Sequence, residues 1–329
     1  MTTEQELGAA PMSIMDSLVR NDRVGPKWLW RSGSLVPWTD ARIHVNAVGH
    51  ASVASVFEGI KAYVSHDGNR LLAFRLDEHL RRLYESARLV RIDIPYGVET
   101  LRDAVIEVLR ANEYREDVYL RPWAFPAGIV QEQMVPAGVT CELVVDSWTF
   151  QSGLGTGRGC RAAVSSWTRI NETSMPPRVK AFSNYHNGRL AMIEARENGH
   201  DWPVLLNERG KVSEGPGACI AMVRDGVVST PSTTSGILES LTRETSITLL
   251  RELGHTVVER EVDRTELCLA DEVFFMGTGW EILPVTWVDG LKVGEGEAGP
   301  VTRALDAAYH SVVRGRSPEH ADWLTEIPF

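Results

Sequence analysis

Lysine is scarce in this chain of 329 residues: Lys27, Lys61, Lys180, Lys211 and Lys292 are its five, and arginine makes up the rest of the 34 basic residues. Chemistry that needs a side-chain amine is therefore confined to five positions. Cysteine is scarcer still. Cys141, Cys160, Cys219 and Cys268 lie far apart with no C-x-x-C pair, which argues against a disulfide framework or a thiolate zinc site and fits a reducing cytoplasm. There is no run of about eighteen apolar residues to span a bilayer, and the first residues, "MTTEQELGAAPMSIMDSLVRND", lack the long apolar core of a secretory signal. Positive charge is in deficit, with a formal net charge of −10, which argues against a nucleic-acid or anionic-membrane partner. G-x-S-x-G, H-E-x-x-H and Walker motifs are absent, and His44, His50, His66 and His79 are too scattered to suggest a metal site.

What is present reads as an α+β chain of two domains. An arm covers residues 1–26 within a smaller N-terminal domain, 1–150. A connector follows at 151–159, and a larger C-terminal domain spans 160–329. "KWLWRSGSLVPWTDARIHV" predicts two strands around R-S-G. "SVFEGIKAYV" and "NRLLAFRL" predict a hairpin across "SHDGN". Leu80, Leu83, Ala87 and Val90 fall on one face of a predicted helix, and Leu101, Val105 and Val108 on one face of the next. "DVYLRPWAF" and "CELVVDSWTF" read as strands. Beyond 160, strands alternate with helices at 186–198, 242–253 and 301–313, with hairpins at "PVLLNERGKVSEG" and "CIAMVRDGVVSTP". The glycines of "QSGLGTGRG" invite a dinucleotide-binding reading, but a strand-like segment follows them where the fingerprint needs a helix. A flexible connector is the better reading.

Among the five lysines, Lys211 and Lys292 sit in turn-like segments, Lys27 near the terminus and Lys61 on an alternating strand. Lys180 stands apart, at the junction between the extended "NETSMPPRV" and the helical "RLAMIEARENG", with Tyr185 five residues on. Glu214 occupies a glycine-rich corner, "VSEGPG", where a carboxylate is either solvated or held for a cation. Ser240 or Thr242 can cap a helix whose N–H groups would suit an anion. Arg121, on an apolar strand among aromatics, needs an anionic ligand or an internal ion pair. Arg82 falls opposite the apolar stripe of its helix, so a solvated face is its default.

Taken in order, "VFEGIKAY", "EHLRRL", "YLRP", "KAFSNY", "VSEGPG", "ILESLTRE", "LADEVFFMGT" and "GPVT" resemble the class IV aminotransferases, with the branched-chain amino-acid aminotransferases as the nearest subgroup. The similarity spans about residues 28 to 313. It implies a fold-type IV enzyme using pyridoxal 5′-phosphate, with a β-barrel-like core in the larger domain, typically a homodimer. Lys180 matches the Schiff-base lysine, Tyr185 the contact to the cofactor's phenolic oxygen, and Glu214 the carboxylate at the pyridine nitrogen. Arg82, Leu241, Thr242 and Thr278 match the phosphate contacts. Phe57, Tyr119, Arg121 and Gly279, with Trp280 beside it, match the substrate pocket. No metal is implied.

The implied activity is transamination between an amino acid, such as L-glutamate, and a 2-oxo acid. Departures from the family pattern fall in the pocket. Ser52 stands where a tyrosine is expected, "DSWTFQS" replaces "FPWGAY" with loss of an aromatic, Trp280 is bulky beside the carboxylate turn, and Cys219 replaces an asparagine. A reshaped pocket and a specialised oxo acid follow as expectations. The alternatives are a lyase resembling aminodeoxychorismate lyase, or a D-amino-acid or amine transaminase on the same fold.

Overall fold

The computed structural model describes residues 25–43, 47, 54–128 and 140–329. Most of the arm expected over 1–26, and Ser52, lie outside the described residues. β1 (Trp28–Arg31) and β2 (Ser34–Pro37) pair antiparallel across Ser32 and Gly33, as the R-S-G signal predicts. β3 (Val56–Phe57) is short, and β4 (Ile60–Val64) and β5 (Arg70–Phe74) make the expected hairpin. α1 (Leu76–Leu89), α2 (Val98–Ala111), β6 (Val118–Pro126) and β7 (Cys141–Thr149) follow. Leu80, Leu83 and Ala87 of α1 and Leu101, Val105 and Val108 of α2 are buried in one cluster with Val56, Ile60, Val118 and Leu120. Each such leucine or valine contributes roughly 1.5–3 kcal/mol. Val90 is exposed instead, because the helix stops at Leu89 and leaves it beyond the packed stripe.

The chain continues through β8 (Cys160–Thr168), α3 (Tyr185–Glu197), β9 (Trp202–Leu206), β10 (Cys219–Arg224) and β11 (Val227–Thr230). It then forms α4 (Leu241–Glu252), β12 (Thr256–Glu259), α5 (Arg264–Cys268), β13 (Glu272–Gly277) and β14 (Glu281–Val288). β15 (Leu291–Lys292), α6 (Pro300–Val313) and β16 (Leu324–Pro328) close it. "CIAMVRDGVVSTP" is the β10–β11 hairpin, and "PVLLNERGKVSEG" turns back on itself as expected, with the antiparallel bridge Leu206 to Val212 flanked by backbone bonds from Leu205 N to Glu214 O, Ser213 N to Leu205 O and Asn207 N to Lys211 O. No described helix is long and apolar enough to cross a membrane.

Two eight-stranded sheets result. The first runs β16-β5-β4-β6-β7-β1-β2, with β3 on β6, so the C-terminal strand returns to the edge of the N-terminal sheet. The second runs β12-β11-β10-β13-β14-β8-β9, with β15 on β14. No ladder among the described residues joins β12 to β9.

One buried ion pair ties the sheets together. Lys61 Nζ on β4 donates to Glu281 Oε1 on β14 at 2.6 Å, both side chains almost wholly buried. Glu281 Oε2 accepts from Gly153 N at 2.7 Å, and Gly155 N donates to Asp306 at 2.7 Å. The expected flexible connector is thus held at two points, and it leads into a strand, as the rejection of a nucleotide fingerprint requires. Glu281 has φ 56°, a left-handed conformation that costs a non-glycine residue roughly 1–2 kcal/mol. Its two carboxylate bonds sustain that turn. Lys61→Met would strand a buried carboxylate and is expected to lower unfolding stability by about 3–5 kcal/mol, read from urea denaturation. A change within the scatter of surface variants would show the pair to be dispensable.

Candidate active site

Lys180 is positioned through its backbone. Its N–H donates to Ser86 Oγ on α1 at 3.1 Å, and its carbonyl accepts from Phe57 N on β3 at 3.0 Å. A single 3-10 turn, Phe182–Asn184, then starts α3 at Tyr185. The side chain is 9% exposed, and Nζ donates to Tyr185 Oη at 2.7 Å. It also lies 4.9 Å from the centroid of the Phe57 ring. Lys27, Lys61, Lys211 and Lys292 each pair with a carboxylate. Among the described residues, Lys180 has only a phenol as polar partner.

The amine opens on a cavity of about 420 Å³. Ten of the expected site residues line it: Phe57, Arg82, Tyr119, Arg121, Lys180, Tyr185, Glu214, Thr278, Gly279 and Trp280. Leu241 and Thr242 do not; they stand in the first turn of α4, behind the N-cap Ser240, which does line the cavity. Ser240 Oγ, rather than Thr242, caps the helix by accepting from Arg243 N at 3.2 Å.

Arg82 is 8% exposed, not solvated. The helical wheel misleads here because α1 is covered on its second face too, by Glu58 and by the segment before α4. Arg82 Nε donates to Glu58 Oε1 at 2.6 Å, Nη2 to Glu58 Oε2 at 2.8 Å and Nη1 to Glu239 O at 2.6 Å. His79 Nδ1 lies 2.8 Å from Glu58 Oε2. Burial alone would raise the Glu58 pKa, but the Arg82 charge and the hydrogen bonds of Arg82 and His79 outweigh it and hold the carboxyl well below its usual range. Burial lowers the His79 pKa despite its carboxylate neighbour, which favours the neutral imidazole. A carboxylate only accepts, so His79 donates from Nδ1.

Glu214 is buried beside a tight turn, closed by Gly215 N donating to Ala218 O at 2.8 Å. Arg169 donates to Glu214 Oε1 from Nε at 3.0 Å and from Nη2 at 2.7 Å, and Leu238 N donates to Oε2 at 3.2 Å. Burial raises the Glu214 pKa, and Arg169 and the Leu238 N–H oppose the rise. The Cys219 thiol sits 3.7 Å from both Glu214 Oε2 and Leu238 O, and burial pushes its pKa up.

The opposite wall is aromatic. Tyr119 stacks on Trp148 with centroids 4.9 Å apart and lies 5.8 Å from Phe150. Trp148 and Phe150 both line the cavity, so "DSWTFQS" keeps the wall aromatic where the sequence predicts a loss. A Cβ on Gly59 would fall 1.8 Å from Tyr119 Oη, so only glycine allows that ring its place. Trp280 packs on Trp202 and Phe275, at 4.0 and 5.1 Å, which absorbs part of its bulk outside the cavity. Arg121 forms the internal ion pair left open by the sequence, Nη2 to Asp146 Oδ2 at 3.3 Å. Its Nε, and the indole Nε1 of Trp148, are nevertheless buried without a partner.

Buried donors are almost always satisfied, so such orphans on a cavity wall favour an acceptor-rich, anionic ligand. An amine free of carboxylates, a buried carboxylate facing it and a buried arginine suit an aldehyde-bearing ring with a basic nitrogen and a phosphate. Glu58, His79, Arg169, Asp146 and Phe182 were missed in the sequence. For Glu58 a signal existed: a carboxylate inside the buried run "SVFEGI" requires a cationic partner. Arg169, in "SWTRI", carries no local signal.

A family model described as Amino-transferase class IV matches residues 55–288. The branched-chain-amino-acid aminotransferase of Escherichia coli K12 is 37% identical over 303 residues, covering 91% of this chain and 97% of its own. The probable branched-chain-amino-acid aminotransferase of Aquifex aeolicus is 39% identical over 298 residues, covering 90% and 95%. The structure resembles the branched-chain amino acid aminotransferase from Thermobaculum terrenum in its PLP form, with a TM-score of 0.89, 44% identity and coverage of 93% and 99%. It also resembles the branched-chain amino acid aminotransferase of T.th. complexed with N-(5′-phosphopyridoxyl)-L-glutamate, with a TM-score of 0.87, 37% identity and coverage of 92% and 99%.

Proposed function

The chain belongs to the class IV aminotransferases, and on that premise we propose that it is a pyridoxal 5′-phosphate enzyme transferring an amino group between an amino acid such as L-glutamate and a 2-oxo acid with an apolar side chain. The observation that carries the proposal is the Lys180 ammonium, whose one polar partner among the described residues is the Tyr185 hydroxyl. No carboxylate is hydrogen-bonded to this amine, so none has to be displaced before it meets a cofactor aldehyde.

Lys180 and Tyr185 hold the cofactor's aldehyde and phenolic end. Glu214 holds a proton on its ring nitrogen. Arg82, Thr278 and Ser240, which line the cavity, would take its phosphate beside the start of α4, where a helix N-terminus favours an anion. When bound, the cofactor supplies an electron-withdrawing ring that accepts the electron pair left at the amino acid's Cα. Lys180 Nζ would be the base that takes the Cα proton and delivers it to the carbon that carried the cofactor's aldehyde, across the nitrogen being transferred. Arg121 and the Thr278–Gly279 turn orient the substrate carboxylate. Phe57, Tyr119, Trp148 and Phe150 exclude water from the side chain. Two half-reactions at one site give ping-pong kinetics.

Trp280 and Cys219, both lining the cavity where the family pattern has other residues, are the grounds for a pocket altered from that of the branched-chain enzymes, so acids outside the branched-chain set, bulkier ones included, are expected among its acceptors. The test is a screen of amino donors and 2-oxo acids by absorbance, following conversion between the aldehyde and amine forms of the cofactor. Turnover of L-glutamate with apolar 2-oxo acids is expected. If branched-chain acids exceed all bulkier ones in kcat/KM, the pocket is unaltered. Pyruvate release without an acceptor, or no conversion with any donor, overturns the proposal.

A further inference from the structure

Glu58 sits in "VFEG", a motif whose carboxylate has no role in the reaction above. Its side chain is 0% exposed. It accepts from Arg82 Nε at 2.6 Å, from Arg82 Nη2 at 2.8 Å, from His79 at 2.8 Å and from Gly59 N at 3.2 Å. Its own N–H donates to Pro122 O on β6 at 2.7 Å, so the carboxylate is mounted on the first sheet. Three segments remote in sequence meet at one guanidinium: the β3–β4 corner, α1 and the loop carrying Glu239.

The geometry points to Glu58 as the positioning residue that aims Arg82 at the cofactor phosphate, with His79 bracing its second oxygen. This rests on the reading of Arg82 as a phosphate contact. An arginine side chain has five N–H bonds and rotates about four single bonds, so alone it meets an anion at an entropic cost. Here Glu58 takes two of those bonds side-on and Glu239 O takes a third. The remaining two, both at the guanidinium's outer nitrogens, have no protein partner among the described residues, and Arg82 lines the cavity. Because Glu58 neutralises the guanidinium charge, Arg82 contributes shape and direction more than net charge.

Glu58→Gln keeps the volume but replaces one acceptor oxygen with an N–H₂ group. That amide then faces Arg82 Nε–H in one orientation, or Arg82 Nη2–H together with His79 in the other, donor against donor. The guanidinium loses its second anchor. A phosphate-directed role and a merely structural one differ in a measurable way, because pyridoxal lacks the phosphate. Cofactor-free protein is titrated with pyridoxal 5′-phosphate and with pyridoxal, by absorbance and tryptophan fluorescence. Glu58→Gln is expected to weaken pyridoxal 5′-phosphate binding by about tenfold or more, the loss of a charge-assisted hydrogen bond, and to leave pyridoxal binding within about twofold. Glu58→Asp should recover part of the difference, since it restores the charge at a shorter reach. His79→Asn gives the same selective loss in smaller measure and guards against a Glu58 variant that does not fold. Equal weakening of both ligands, or wild-type affinity for both, overturns the assignment. A wild-type protein that binds neither overturns the function reading itself.

Discussion

Lys180→Ala protein is expected to lose transamination by about 10⁴-fold or more while keeping its fold. On the proposed function the lysine would be both the covalent holder of the cofactor and the base for the Cα proton, and a positioned base alone is worth roughly 10²–10⁴-fold. The fold should survive because the side chain has no ion pair to orphan; its removal strips a hydrogen bond from the Tyr185 phenol and little else. Lys180 N and O, which hold β3 and α1 together, are backbone atoms that alanine retains. The measurement is a single-turnover half-reaction with L-glutamate, beside a thermal unfolding scan. A variant that still converts the cofactor at near wild-type rate sinks the proposal, whereas an unfolded variant would be exposed by the scan.

Glu214→Gln is expected to slow the same half-reaction by roughly 10²–10³-fold, the scale found when one preorganised electrostatic partner of a reacting system is removed. The amide can still accept from Leu238 N, so the turn at Gly215 should hold. What it loses is the negative charge. Arg169, which donates twice to this carboxylate, then has no anion to balance it and adds its positive field to the place where, on the proposed function, a protonated ring nitrogen would sit. Cofactor affinity should change far less than the rate, because phosphate and aldehyde contacts persist. Loss of cofactor with an unchanged rate in the remaining holoenzyme would refute the role. Removing the guanidinium at the same time, in Glu214→Gln/Arg169→Met, should recover part of the rate, since the uncompensated charge goes with it.

Much of the architecture was legible from periodicity. Leu80, Leu83 and Ala87 on α1, and Leu101, Val105 and Val108 on α2, are local patterns that burial enforces wherever an apolar face meets the core. The same reasoning failed for Arg82. A helical wheel knows one buried face, and α1 has two. It failed for Lys61 as well, which alternation set on a strand without saying that both faces of that strand are covered. Lys180 was legible for a different reason. Five lysines leave few candidates, and only one stands at a break between an extended and a helical segment.

The chain's composition and local patterning by themselves decided that an amine chemistry had few places to reside, where the longer helices and most strands lie, though not the short helix Arg264–Cys268, and that residues 151–159 precede a strand and not a helix. Only the tertiary structure decided the partners. Arg82 finds Glu58 across 24 positions, Arg169 finds Glu214 across 45 and Lys61 finds Glu281 across 220. Local sequence specifies the torsional preference and solvent exposure of a segment, whereas an ion pair between distant segments depends on which strands and helices pack together. That is settled by the two sheets as a whole, because an unpaired charge in their interior costs several kcal/mol and the packing that satisfies them all at once is a property of no single stretch.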